Sequence, residues 1–416
     1  MLERLRETLM PAPVDGRFVA VMLGLLAVGL IMVYSANLPL PSANAHTVFW
    51  KQMRGHPMHI LIGLIALMMV LRIPSDWLRK ASAPLFVLGV ALLLTVAMLK
   101  LFGGSQFVRD GAVRAIPMGP LTLQPSELMK VFVILFAAGY AVRRHDRMRF
   151  DLVRGLAPIG GLMVVVMSLL LYQPDLGSTI VITLTVAAVL LLGGMSLRVV
   201  IPLVILLALF FILMIWLTPW RLERLVSYLT PCDPGHAQKA GYQLCGALIA
   251  FGHGGFFGSG LGTGIAKLGY LPLPHTDFIF AVIGEELGFV GVTAVLFAFG
   301  YLIRRCIEIG RVAMSQERMF AGLVAQGIGV WLGVQTLIHA GVNTGLLPTK
   351  GLTLPLISHG GSAMLAICIA LGMVLRIDAE NRAGARARPV QEPILKRRTR
   401  SGGLAQPARA LREGAS

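Results

Sequence analysis

Ten runs of apolar residues, each close to the length that crosses a lipid bilayer, dominate this 416-residue chain. They fall at roughly 17–36, 57–74, 82–102, 126–143, 155–172, 177–195, 198–218, 278–303, 318–341 and 361–377. A helix needs about 20 predominantly apolar residues to cross the hydrocarbon. With no water there, every backbone N–H and C=O must be satisfied within the structure. The expected fold is therefore an all-α polytopic membrane protein of about ten transmembrane helices. Composition agrees, with 56% hydrophobic and 14% charged residues and a mean hydropathy of +0.76, outside the range of ordinary soluble domains. The expected organisation is a cytoplasmic segment over 1–16, a membrane domain over 17–377 and a basic, disordered cytoplasmic tail over 378–416. The first run reads as a span and not a cleaved signal, because it is long and ends in VYSAN without a small-residue cleavage site.

Lys and Arg set the expected orientation. With the N-terminus cytoplasmic, the inside connections before the tail carry sixteen of them against ten in the longer outside loops. An even number of spans then returns the C-terminus to the cytoplasm. The net charge of +17 would ordinarily raise nucleic acid as a partner, but ten of the 37 basic residues lie between Arg376 and Arg412. That tail suits anionic lipid headgroups or an acidic partner, and no nucleic acid is expected. Cys232 and Cys245 share one expected outside loop, where a disulfide can persist; Cys306 and Cys368 read as inert membrane cysteines.

The chemically rich stretches are the expected outside loops. In GAVRAIPMGPLTLQPSELMK (111–130), Ser126 reads as a helix N-cap and Glu127 as a carboxylate near the positive helix end. Lys130, a turn deeper, costs roughly 2.5–3.5 kcal/mol at the membrane centre, so it needs a site or a partner: Glu127, or the pair Glu285 and Glu286. In YQPDLGST (172–179), Asp175 caps the following helix. The segment from about 219 to 277, between the seventh and eighth spans, is too apolar for a solvated loop and too glycine-broken for a full span. It is expected to be partly embedded, re-entrant or surface-lying. Its glycines match neither GxGxxG nor the GxxxxGK[ST] phosphate loop, which sets an ATPase aside. In NTGLLPTKGLTLPLISHGGS (343–362), Lys350 is either a headgroup anchor or a group that meets an anionic substrate.

LPLPHTDFIFAVIGEELGF (271–289) puts three acids into an apolar stretch. On a continuous helix Glu285 and Glu286 lie about 12–13.5 Å deeper than Asp277 and point to other faces. Asp277 therefore belongs to the water boundary. The two glutamates must face protein, water or a cation inside the bundle.

Together QPSELMK, YQPDLGST, LPLPHTDFIFAVIGEELGFVG and GLLPTKGLTLPLISHGGS resemble the SEDS family (shape, elongation, division and sporulation) across nearly the whole membrane domain. PTKGLTLPLIS, with GYQ and AFG in the large loop, is more similar to the division branch than to the elongation branch. Two departures stand out: Ala115 where the family usually carries Trp, and His359 where it usually carries Tyr.

The resemblance implies a glycosyltransferase that polymerises lipid II into peptidoglycan strands at the outer face of the bacterial cytoplasmic membrane, at the division septum. Asp277 matches the essential carboxylate and would act as general base, typically worth about 10²–10⁴ in rate, with His275 and Thr276 beside it at the substrate. Arg109, Arg114, Glu127, Lys130, Lys267 and Lys350 are candidates for substrate binding, the basic groups among them for holding the two pyrophosphates. A divalent cation (Mg or Mn) would share that work. Asp175, Glu285 and Glu286 are expected to be structural. The implied partners are lipid II, a class B penicillin-binding transpeptidase and division regulatory proteins. A lipid flippase or transporter is the competing reading, since ten spans with intramembrane charge suit it too. It would need polar groups along a path to both faces, whereas here they crowd one side.

Overall fold

The computed structural model describes residues 14–37, 45–102, 113–118, 121–145, 148, 152–218, 226–233, 235–236, 241–268 and 270–387. In chain order the helices are α1 (Gly16–Ala36), α2 (Ala45–Leu71), α3 (Ser75–Phe102), α4 (Pro125–Arg143), α5 (Leu152–Tyr172), α6 (Leu176–Leu192), α7 (Leu197–Trp216), α8 (Tyr242–Gly254), α9 (Ile279–Ser315), α10 (Met319–Asn343) and α11 (Gly361–Ala387). A short antiparallel hairpin, β1 (Ile116–Met118) and β2 (Leu121–Leu123), precedes α4. Seven of the described helices are long and apolar enough to cross a membrane, and shorter apolar helices cover Gly55–Leu71, Leu176–Leu192 and Leu197–Leu206.

Helices α4, α10 and α11 form the centre, with 83%, 72% and 78% of their most apolar residues buried against 22% for α3 and α5. The peripheral helices carry large exposed side chains such as Val87, Phe102, Val164, Leu206 and Trp216. Such faces suit lipid tails and would be costly in water. Around the centre, α9 packs on α10, α2 on α11, and α3 on α4.

Three local expectations change. Helix α4 starts at Pro125 with Gln124 as N-cap, and Gln124 makes no side-chain capping bond. Proline's fixed φ and missing N–H favour that first position, so Ser126 does not cap the helix but accepts a hydrogen bond from Gln124 Nε2 at 3.1 Å. Helix α9 is interrupted at Gly288, whose φ of 67° is left-handed. Finally, α11 runs past the expected end at 377 to Ala387. It is carried there by the i,i+4 pairs Arg376–Glu380 and Arg382–Asp378, both at 2.8 Å, and by Asn381 Nδ2 donating to Ile309 O at 3.0 Å.

The bundle has two polar ends. At one, Arg305 pairs with Asp15 and Glu308, and Arg318 pairs with Glu380 and donates to Asn381 and Ser75. At the other, the polar loops meet. Ser362 Oγ joins β2 to α11 through Gln124 N and Thr122 O, and Ser358 Oγ donates to Thr276 O at 2.7 Å.

Candidate active site

Asp277 stands half-buried just before α9. Its segment is held from two sides. Asn343, the last residue of α10, donates from Nδ2 to Asp277 O at 3.0 Å and accepts from Ala281 N at 3.1 Å. From the loop before α11, Ser358 grips Thr276 O, and His359 N donates to His275 O at 2.9 Å. The Asp277 carboxylate lies against Gly351, where an added Cβ would stand 3.2 Å from Oδ2. Lys350, half-buried, is the next residue. Thus the HTD and TKG motifs, more than seventy residues apart in sequence, form one corner.

The same corner rests on a polar row that local reading missed. Trp331, Gln335, His339 and Asn343 repeat every four residues along α10 and so share a face. Trp331 Nε1 donates to Gln335 Oε1 at 2.7 Å, Gln335 Nε2 donates to Thr353 O at 2.8 Å, and His339 Nδ1 meets Leu352 O at 2.7 Å. The signal, polar residues at helical spacing in an apolar run, was present in the sequence.

Lys130 is 1% exposed and donates to Glu127 Oε1 at 2.7 Å and Gln335 Oε1 at 3.1 Å. Of its two candidate partners Glu127 is the one it meets. Lys267 is likewise consumed, donating to Glu286 Oε1 at 2.6 Å and to Ser35 Oγ at 3.0 Å. The serine of VYSAN in turn donates to Glu286. Both ammonium groups are neutralised inside the bundle, as burial of charge requires.

Glu285 and Glu286 read out the backbone of the glycine-rich loop. Glu285 accepts from Ile265 N at 2.7 Å and from Ala266 N at 3.2 Å, with His253 Nδ1 at 3.1 Å. Glu286 accepts from Gly262 N at 3.0 Å. The loop also hydrogen-bonds the carbonyls of both glutamates through Ser259 N and Gly260 N. This explains the glycines: a Cβ on Gly254 would fall 2.0 Å from Gly284 O, and one on Gly258 2.2 Å from Glu286 O. Backbone meets backbone there, and no phosphate cradle is needed.

Asp175 caps α6, its Oδ1 accepting from Ser178 N at 3.0 Å. Arg114 is exposed and donates to Pro174 O at 3.1 Å, joining the GAVR segment to the QPD turn. Arg109 lies outside the described residues. Cys232 and Cys245 form a disulfide that ties the large loop to α8. Cys245 also lines an apolar cavity of about 430 Å³ with Tyr242, Ile249, Ile265 and Tyr270, and His253 and Glu285 are also in its lining.

Residues 17–383 match the family model described as a cell cycle protein, which groups FtsW, RodA and SpoVE. The chain belongs to the FtsW/RodA/SpoVE family. Among its FtsW/RodA/SpoVE relatives, a probable peptidoglycan glycosyltransferase FtsW of Aromatoleum aromaticum is 46% identical over 362 residues, covering 86% of each chain. The protein of the same name from Burkholderia thailandensis is 43% identical over 364 residues, covering 87% of this chain and 78% of the relative. One solved structure, described as showing structural coordination of polymerization and crosslinking by a peptidoglycan synthase complex, superposes with a TM-score of 0.70 at 27% identity, covering 88% of this chain and 98% of that one. The rod shape determining protein RodA of Thermus thermophilus superposes with a TM-score of 0.63 at 27% identity, covering 88% and 97%.

Proposed function

We infer that this membrane protein is a peptidoglycan glycosyltransferase, the activity for which its FtsW relatives are named, and we propose that Asp277 is its general base. The observation that carries the proposal is the place of Asp277: it stands half-buried just before α9, on a segment held by Asn343 and Ser358, with its carboxylate against Gly351 where the HTD and TKG motifs meet.

In the reaction, a sugar hydroxyl of one lipid II attacks the anomeric carbon of another. The new glycosidic C–O bond forms as the anomeric C–O bond to phosphate breaks, the hydroxyl proton passes to Asp277, and undecaprenyl pyrophosphate leaves. That leaving group is stable as an anion, so one carboxylate suffices, in contrast to the acid and base pair of glycoside hydrolysis. Direct displacement inverts the anomeric centre. Lys350, next to Gly351, and the exposed Arg114 are the candidates to meet pyrophosphate, with Arg109 as a further one. His275 and Thr276 shape the acceptor side. A Mg or Mn ion would add to the neutralisation of the leaving group, because such ions bind through few carboxylates plus substrate phosphates. The apolar cavity beside α8 suits a prenyl chain better than a sugar.

In the membrane, α1–α7 and α9–α11 would supply ten crossings of the bacterial cytoplasmic membrane, with α8 and the glycine loop partly embedded. The arginine-rich end and both termini would face the cytoplasm, following the positive-inside rule. A class B penicillin-binding transpeptidase and division regulators are the proposed partners, at the septum. The test is purified, folded Asp277→Ala protein given labelled lipid II, with and without the transpeptidase. Polymer formed at near wild-type rate would remove Asp277 from the chemistry.

A further inference from the structure

At the arginine-rich end, α1, α9 and α11 leave a polar cleft of about 720 Å³ between them. Four guanidinium groups line it: Arg17 from α1, Arg304 and Arg305 from α9, and Arg382 from α11. Arg305 pairs with Asp15 at 2.6 Å and with Glu308 at 3.0 Å, Arg304 shares Glu308 at 2.8 Å, and Arg382 pairs with Asp378 at 2.8 Å. Arg17 is exposed and pairs with no carboxylate among the described residues. The four cations therefore face three carboxylates, which leaves one positive charge in excess.

The cleft continues into an apolar surface. On α9, Phe297, Tyr301 and Arg304 stand at i, i+4 and i+7 and so share a face. Phe297 is 75% exposed, Tyr301 lines the cleft, and the Arg304 side chain is 80% exposed. An apolar ring, then a tyrosine, then an arginine is the order met on passing from hydrocarbon through the interface to water. On α1, Ala20 and Gly24 are exposed on the side of Arg17, and a Cβ on Gly24 would meet nothing within 4 Å. A chain that leaves the cleft along α1 therefore finds open room.

We propose that this cleft seats the phosphodiester of an anionic phospholipid, held chiefly by Arg17 and Arg304, with its acyl chains along the exposed faces of α1 and α9. A phosphodiester is a monoanion and matches the single excess charge. The guanidinium fork fits phosphate oxygens, and basic pockets between membrane helices hold such headgroups. An acidic protein segment is the poorer occupant, because it would leave the apolar face that runs from the cleft to Phe297 unused. The lipid would join three helices that otherwise meet here through ion pairs. The orientation proposed above assigns it to the cytoplasmic leaflet; the binding itself depends neither on that orientation nor on Asp277 being the base.

The test uses the full chain, purified in detergent and freed of lipid. It is titrated with phosphatidylglycerol, with phosphatidylcholine of the same acyl chains and with inorganic phosphate, while native mass spectrometry counts bound lipid and the melting temperature is followed. The expected result is a saturable phosphatidylglycerol site whose occupancy raises the melting temperature, with weaker binding of phosphatidylcholine and no comparable rise with inorganic phosphate. A basic group near an anionic lipid is worth roughly fivefold in affinity, so the double variant Arg17→Gln, Arg304→Gln should bind phosphatidylglycerol about 25-fold more weakly. Both side chains are exposed, so its melting temperature without lipid should stay near wild type. Arg79→Gln alters an exposed arginine of α3 outside the cleft and should bind as wild type does. Undiminished binding by the double variant, an equal loss in Arg79→Gln, or equal affinity for phosphatidylcholine would each overturn the site. A rise in melting temperature with inorganic phosphate equal to that with phosphatidylglycerol would overturn the lipid as its ligand.

Discussion

The two ends of the bundle hold their charges in different ways. At the arginine-rich end, carboxylates meet guanidinium groups: Arg305 with Asp15 and Glu308 and Arg318 with Glu380 are partly exposed, while Arg376 with Glu380 and Arg382 with Asp378 each have one buried member. At the loop end, side chains meet mostly backbone. Asn343 holds Asp277 O, Gln335 holds Thr353 O, Ser358 holds Thr276 O, and Glu285 takes the Ile265 and Ala266 amides. Partly exposed ion pairs are screened and individually weak. Buried bonds to backbone position a chain segment, and they are costly to leave unmade. The first pattern suits a surface that sets topology; the second suits a site that must keep its geometry.

The largest effect should come from Asp277, the proposed base. Asp277→Asn should lower lipid II polymerisation by about 10²–10⁴ while the melting temperature in detergent stays near wild type. A stability loss equal to that of the Glu286 variant would erase the distinction between the acids. Next comes the buried pair. Glu286→Gln leaves Lys267 buried without its counter-charge and should destabilise the fold by about 3–5 kcal/mol, read as lost yield and a lower melting temperature. A combined Lys267→Met, Glu286→Leu protein should recover much of that loss, because it removes both charges together.

A smaller effect is expected for Asn343→Ala. It leaves Asp277 O and Ala281 N without their side-chain partner and should cost about 1–3 kcal/mol, with kcat falling more than KM rises as the Asp277 segment loosens. At the opposite end, Arg318→Ala should cost no more than about 1 kcal/mol, shrinking as salt is raised. Salt-insensitive collapse of that variant would break the contrast between the two ends.

The smallest effect concerns pH. Burial acts to raise the Asp15 carboxyl, but the Arg305 hydrogen bond and charge and the Phe18 and Arg17 amides outweigh it, leaving the group below its ordinary 3.8. Its stabilising contribution is therefore present above that value and is lost as pH falls through and below it. Asp15→Asn should lower the melting temperature slightly near pH 7, where the contribution is present, and by progressively less as pH falls below 3.8, which flattens the acid limb.

How far each feature could be read depended on the range of its cause. Asp175 as a helix cap needs only Ser178, three residues on, and local spacing revealed it. Placing Asp277 against Glu285 and Glu286 by helical rise assumes one continuous helix, but α9 begins only at Ile279, and Asp277 precedes it. The partners of those glutamates are not legible locally. Lys267 and Ser35 meet Glu286 across 19 and 251 residues, and no periodicity reports such a distance. Helix α11 outran its apolar stretch because Glu380, Asp378 and Asn381 find partners on α9, on α10's first residue neighbour Arg318 and within α11 itself. Hydropathy counts those residues only as polar.

By itself, then, the sequence determined the membrane class and the family. Each rests on composition or on contiguous motifs. Only the tertiary structure decided which partner each buried charge meets. Lys130 and Lys267 look alike as lone cations in apolar chain, yet packing brings Glu127 to the first at 2.7 Å and Glu286 to the second at 2.6 Å. The energy of a charge in the bundle depends on that partner more than on the residue.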